Sequence, residues 1–175
     1  MLQSGKFRGK RILLIDREEK RTNDRTWCFW ETEPGYFEDI VYRQWQKLGF
    51  ISELTSILNI LPYSYKMIRG KDFYDHCLNI IRSNNTVDLL YAEIDPRNLW
   101  HDTDQRIIKI DEMIFDAKES VIFNSIYSPS ENGKHQITLL QHFKGWEIET
   151  EEPAFDTDRS LLMDFRVHQD HGTTF

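Results

Sequence analysis

The chain has 175 residues, with 22 Lys+Arg against 29 Asp+Glu and a formal net charge of −7. Hydrophobic residues make up 39% and aromatics 13%, enough to build a core and too many for a disordered chain. The acidic balance excludes a general phosphate-backbone binder, so no nucleic-acid partner is expected, and two cysteines, Cys28 and Cys77, make neither a disulfide framework nor a four-ligand zinc site.

In chain order, Leu2-Gln3-Ser4-Gly5 reads as a last helical turn and its glycine stop. Ile12 to Asp16 is a continuous apolar run with charged borders, the pattern of a parallel strand buried on both faces. Asn23 to Trp30 reads as a polar-then-aromatic loop, and Val41, Trp45 and Leu48 fall at helix-like spacing in 41–50. Tyr63 to Arg69 predicts a strand. Asp72 is placed to cap a helix that runs to about Arg82, with Phe73, Cys77, Ile80 and Ile81 on one face. Val87 to Ile94 predicts another strand. Arg106 to Ile110, Glu112 to Phe115 and Ser120 to Phe123 suggest a meander, and Gln136 to Trp146 and Leu161 to Val167 are further strand candidates. Thr173-Thr174-Phe175 looks like the start of one more strand, so both ends are expected to be cuts through a longer chain. No apolar run approaches the roughly 20 residues of a membrane span, and no signal-peptide pattern opens the chain, so the expected location is cytoplasmic.

Few residues carry chemistry by themselves. An acid at the end of a buried strand, as at Asp16, either accepts hydrogen bonds from the ribose hydroxyls of a dinucleotide or serves solubility. The G-x-G-x-x-G turn that accompanies the first role occurs nowhere in the sequence. Asn23-Asp24-Arg25-Thr26-Trp27 forms either a cofactor or substrate lip, with Arg25 as its contact, or a turn with an aromatic plug behind it. Glu147, Glu149, Asp156 and Asp164 form an acidic set, and Asp164 lies inside the apolar run Leu161-Leu162-Met163-Asp164-Phe165. A general acid needs a carboxyl whose pKa is raised by an apolar pocket, whereas an edge-strand Asp points to solvent. His168-x-x-His171 lacks a third ligand, so no metal is expected. Neither a nucleophile elbow nor a phosphate-cradling loop is present.

The order of these segments carries a resemblance. Ile12 to Asp16 followed by Asn23-Asp24-Arg25-Thr26-Trp27-Cys28-Phe29-Trp30 resembles the N-terminal part of the lycopene cyclase family. Gln141-His142-Phe143-x-Gly145-Trp146-Glu147-Ile148-Glu149, Phe155-Asp156 and Leu162-Met163-Asp164-Phe165-Arg166 are similar to its central signature. These flavoproteins close the ends of linear lycopene into β-rings. The resemblance implies an α/β (α+β mixed) chain: a partial FAD-binding Rossmann-like domain with inserted antiparallel β segments over residues 1–135, then the start of a substrate-side β segment over 136–175. It implies Asp16 as the ribose-binding acid, with Arg25, Asn124 and Ser125 toward the flavin. Asn124 stands where relatives carry Asp, Ile126 where an Arg is common, and Asp156-Thr157-Asp158 replaces Asp-Pro-Asp. It also implies reduced FAD with NAD(P)H as reductant, a linear carotene as substrate, and a peripheral place on the membrane surface. Trp27, Phe29, Trp30, Trp45 and Trp146 are the aromatics expected along a polyene tunnel, and Asp164 and Glu147 are the catalytic candidates among the acids of this sequence. Because the family's glycine-rich turn and its acidic motif both lie beyond this sequence, the chain is expected to be inactive alone, to lose FAD and to self-associate through open sheet edges. A flavin monooxygenase or prenyl reductase relative, or a non-catalytic remnant, are the other readings.

Overall fold

A computed structural model describes residues 4–94, 107–110, 113–125 and 145–166. In chain order the elements are β1 (Ile12–Asp16), β2 (Thr26–Glu31), β3 (Arg43–Trp45), β4 (Lys47–Ile51), β5 (Thr55–Asn59), β6 (Ser64–Arg69), α1 (Gly70–Arg82), β7 (Val87–Tyr91), β8 (Ile107–Ile110), β9 (Met113–Asp116) and β10 (Ser160–Asp164). This is a mixed α/β chain. It divides into two compact units, Met1–Glu19 with Ile81–Glu147 and Lys20–Ile80 with Ile148–Phe175. The boundary expected at 135/136 lies outside the described residues, as do Leu2-Gln3, Gln136 to Lys144, the His168/His171 pair and the C-terminal Thr-Thr-Phe.

In the first unit β1 and β7 pair in parallel, from Ile12↔Val87 to Asp16↔Tyr91. The Ile12 and Ala92 amides extend the ladder to Thr86 O (2.9 Å) and Asp16 O (2.9 Å). Leu13 and Leu14 stay 42% exposed, so the strand is less covered than its apolar run implies. The reason is pairing: among the described residues β1 has one neighbour, β7. The expected meander is a single antiparallel hairpin, β8 with β9, anchored by Ile110 at 1% exposure. Ser120 to Phe123 is not a strand; a turn closes Ser120 N–H onto Ala117 O (2.9 Å) and leaves Val121 and Phe123 exposed.

In the second unit two three-stranded sheets form, β2-β6-β3 and β10-β4-β5. The helix expected over 41–50 is two strands instead. Trp45 pairs with Tyr65 of β6, whereas Leu48 pairs with Leu58 of β5 and Ser160 of β10. Strand pairing outweighs a three-residue periodicity here, and buried Gly49 admits β10, since a Cβ there would stand 3.2 Å from Leu161 Cδ1. Asn23 to Trp30 likewise holds a strand, β2, paired residue by residue with β6 from Thr26↔Arg69 to Glu31↔Ser64.

Lys66 of β6 is 3% exposed and donates to Glu31 Oε2 (3.0 Å) and to Glu38 on the neighbouring 3-10 turn Glu38–Ile40. Burial opposes its charge, but the hydrogen bonds to Glu38 and Glu31 outweigh it and hold the amine above its ordinary 10.5. Because the folded value is raised, this stabilisation is complete below about pH 10.5 and is lost as pH rises past the folded value. Replacing Glu31 and Glu38 together by Gln strands the ammonium. The expected loss in denaturant unfolding is at the low end of about 3–5 kcal/mol, because the two carboxylates are 31% and 34% exposed. Lys66→Met, which removes the charge and keeps an apolar stem, is expected to cost less.

Candidate functional site

Alternation along β2 and β6 gives their sheet two unlike faces. Trp27, Phe29 and Glu31 share one face with Lys66 and Ile68; Cys28 and Trp30 share the other with Tyr65 and Met67. The first face packs on α1, where Trp27 stands 4.7 Å from Phe73 and edge-on to Tyr74 at 5.7 Å, and Phe37 adds a contact to Phe73 at 5.3 Å. The second face is open: Trp30 is 48% exposed.

The loop before β2 caps α1. Arg25 O accepts the Gly70 N–H (2.8 Å), Asn23 Oδ1 the Lys71 N–H (3.5 Å) and Asp24 Oδ1 the Tyr74 hydroxyl (2.9 Å). These groups satisfy helix donors that would otherwise lack partners. They displace Asp72 from the capping role that its position suggests; Asp72 sits within the first turn and takes two hydrogen bonds from Arg69 (2.7 and 3.2 Å). Gly70 is required at this joint, because a Cβ would stand 2.7 Å from Arg25 O. The Tyr74 hydroxyl and then the Arg25 guanidinium hold the Asp24 carboxyl below its ordinary value. Of the two readings of this loop, the turn with an aromatic plug behind it describes these contacts.

Two grooves open in the second unit. One of about 540 Å³ is lined by Glu38, Tyr42, Arg43, Gln44 and Thr157 and is largely polar. The other, about 430 Å³, is lined chiefly by Trp45, Gly49, Ile51, Phe155, Asp156 and Leu161 and is largely apolar. The second has the size and lining of a small-ligand site. It is also built where β10 meets β4, and its rim is tied by Trp45 Nε1 donating to Thr157 O (3.2 Å). Its acid is neutralised in place, Asp156 pairing with Arg159 at 3.0 Å.

The sequence candidates fall in different places. Asp16 closes β1 at the carboxyl edge of the parallel pair, half-buried, with Oδ1 accepting the Glu18 N–H (3.2 Å). Asn124 and Ser125 are exposed in irregular chain of the same unit. Arg25 belongs to the second unit, where its guanidinium pairs with Asp24 at 3.1 Å. Glu147 is exposed rather than enclosed by apolar groups. Asp164 ends β10 and accepts hydrogen bonds from Arg166 Nε (2.9 Å) and Nη2 (2.6 Å), which push its pKa down to about 2. Paired in this way it is ionised at neutral pH and has no proton to donate, the reverse of what its apolar run suggests. The expected tunnel aromatics are also divided: Trp27 and Phe29 face α1, Trp30 and Trp45 the open side, and Trp146 lies in the other unit, 63% exposed. Tyr65, which stands between Trp30 and Trp45, carries no signal in the sequence, because only strand register puts it there.

Among the described residues no cluster of three or more His, Cys, Asp and Glu side chains is placed to hold a metal, and no helix is long and apolar enough to cross a membrane. The fold and grooves thus define a mixed α/β protein with one largely polar and one largely apolar cleft in its second unit. Residues 4–175 match the family described as lycopene cyclase protein, and the chain belongs to that family. No curated protein and no solved structure matches it.

The Asp164 pair has a direct readout. By carboxyl NMR, Asp164 is expected to stay ionised as the pH falls through the ordinary carboxylate range, protonating near 2, and Arg166→Gln is expected to return it toward 3.8. Because the folded value is depressed, the pair contributes to stability above about pH 3.8 and that contribution disappears as pH falls toward 2. An unchanged titration in Arg166→Gln would contradict the assigned cause.

Proposed function

We propose that the chain serves lycopene cyclisation, the acid-catalysed, non-redox closure of linear carotene ends to β-ionone rings. Membership of the family over 4–175 supports the enzyme class. The single structural observation that carries the proposal is the apolar groove, because Phe155 and Asp156, from the stretch that resembles the family's signature, line it. In such a reaction one proton adds to a terminal double bond, a neighbouring double bond forms the ring bond to the cation, and one proton leaves, so that the product is an isomer of the substrate.

The residues of the chain have separable tasks. Trp45, Ile51, Phe155 and Leu161 bind hydrocarbon and keep water from the reacting end, while Arg159 pairs with Asp156 and the Arg43 guanidinium lies over the Tyr42 ring, so that no uncompensated carboxylate faces the hydrocarbon. Asp16, at the carboxyl edge of a parallel strand, offers a carboxylate suited to ribose hydroxyls, which is where α/β sheets take such ligands. We therefore assign it the adenosine end of FAD, in a Rossmann-like unit with Asn124 and Ser125. When bound, reduced FAD supplies electrostatic stabilisation of the cation. A substrate this apolar arrives from a bilayer, and Leu54, Ile57 and Leu61, each at least half exposed on and beside β5, form the proposed membrane-facing surface.

The extended reading frame that contains this sequence should be expressed in lycopene-accumulating cells and the pigments separated. The expected result is cyclised carotene of unchanged mass. Unchanged lycopene overturns the proposal, and an oxygenated or reduced product replaces it with flavin redox chemistry. Flavin released from the same purified protein tests the cofactor; conversion without flavin removes FAD from the assignment. For the membrane surface, the chain is expected to sediment with phosphatidylcholine–phosphatidylglycerol vesicles. Leu54→Asp with Ile57→Asp should reduce the bound fraction several-fold, and undiminished sedimentation places the contact elsewhere.

A further inference from the structure

Trp30, Tyr65 and Trp45 lie directly opposite one another on three adjacent strands, in the registers Trp30↔Tyr65 and Tyr65↔Trp45. Their ring centroids are 4.7 and 6.2 Å apart, tilted by 44° and 34°. At the usual strand spacing the row is about 10 Å long. It occupies the sheet face opposite α1, and Trp30 at its outer end is 48% exposed. At the inner end Trp45 is fixed by its hydrogen bond to Thr157 O and is itself a wall of the apolar groove, so row and groove form one surface.

The charges around that surface are already engaged. The Arg43 and Arg69 guanidinium groups lie over the Tyr42 ring at 5.3 and 4.1 Å, Arg69 also pairs with Asp72, and Asp156 pairs with Arg159. Tyr65 remains an uncharged phenol, its pKa pushed up to about 12 by burial and by contact with Cys28. A charged or strongly hydrogen-bonding ligand gains little there. A flat, neutral π-system gains ring contacts along the whole row, and a cation that develops on it meets ring faces.

We propose that Trp30, Tyr65 and Trp45 are a specificity row: they hold the conjugated stretch of the hydrocarbon against their rings while its end enters the groove. The row thereby selects conjugated polyenes over hydrocarbons whose double bonds are isolated. This rests on the cyclase reading, which supplies the hydrocarbon; the row supplies the preference for conjugation.

Partition of two probes, lycopene and squalene, from mixed detergent micelles onto the purified chain tests it. Wild type is expected to retain lycopene about tenfold over squalene. Trp30→Leu and Tyr65→Leu, which keep apolar bulk and lose the ring, should each lower lycopene retention several-fold and leave squalene unchanged. Trp30→Phe and Tyr65→Phe should stay near wild type. Because Trp30 is half exposed, Trp30→Leu is expected to keep the wild-type melting temperature even where Tyr65→Leu does not. Equal losses for both probes, or no loss in Trp30→Leu, overturn the row. If wild type retains lycopene, the row variants match it and Phe155→Ala does not, the cyclase reading stands without the row; if wild type retains neither probe, both fall.

Discussion

The organisation of the second unit depends on the register of β6 between β2 and β3. Consecutive residues of β6 point to opposite faces, so Lys66 and Tyr65 have unlike surroundings one position apart. Lys66 is turned toward Glu31 and Glu38, and Tyr65 toward Trp30 and Trp45. A slip by one residue would exchange these faces, leaving an ammonium among indoles and a phenol among carboxylates. The buried ion cluster is therefore as much a register device as a source of stability. A buried charge that finds its partners in one alignment only makes other alignments expensive. The aromatic row is defined by the same alignment from the opposite side.

The joint between the loop 23–25 and α1 does similar work along the chain rather than across it. Arg25 O, Asn23 Oδ1 and Asp24 Oδ1 take three donors from the start of the helix, and the missing side chain at Gly70 allows the close approach. Trp27 follows two residues after Arg25 and plugs the space between β2 and α1. A loop whose composition suits a cofactor lip is in these contacts a cap. Asp, Asn and backbone carbonyls serve both purposes with the same lone pairs, and composition cannot separate them.

What was legible in the sequence follows the range of the interaction responsible. The parallel strand ending at Asp16, the strand entering α1 and the helix itself are visible because each has a local pattern, an apolar run or a 3.6-residue stripe. β2 was hidden because both its faces carry aromatics, Trp27 and Phe29 on one and Trp30 on the other, so no polar alternation marks it. The segment 41–50 misled because Trp45 and Leu48 belong to different sheets whose partners lie 10 to 112 residues away, as with Leu58 and Ser160 on Leu48. Of the aromatic row, Trp30 and Trp45 could be nominated by type, but Tyr65 could be found only through register. The groove was foreshadowed where the chain resembles the family, at Phe155-Asp156, and not where it is closed, at Gly49.

The acids make the same point in electrostatic terms. Acid catalysis at neutral pH asks for a carboxyl that is buried away from cations, whereas Asp164 has Arg166 two residues along the chain, close enough for two hydrogen bonds. The apolar neighbours Leu162 and Met163 do not decide its state, because one guanidinium at contact distance outweighs modest desolvation. Asp156 is also in contact with a guanidinium, that of Arg159 at 3.0 Å, three residues along the chain. Asp156 and Asp164 are thus each ion-paired locally, and Trp45, Ile51, Phe155 and Leu161 make the groove largely apolar beside the Arg43 and Arg159 side chains. A surface of that kind discriminates by shape and polarizability, not by charge. This makes conjugation, rather than a polar end group, the property of a ligand to which this part of the molecule is matched.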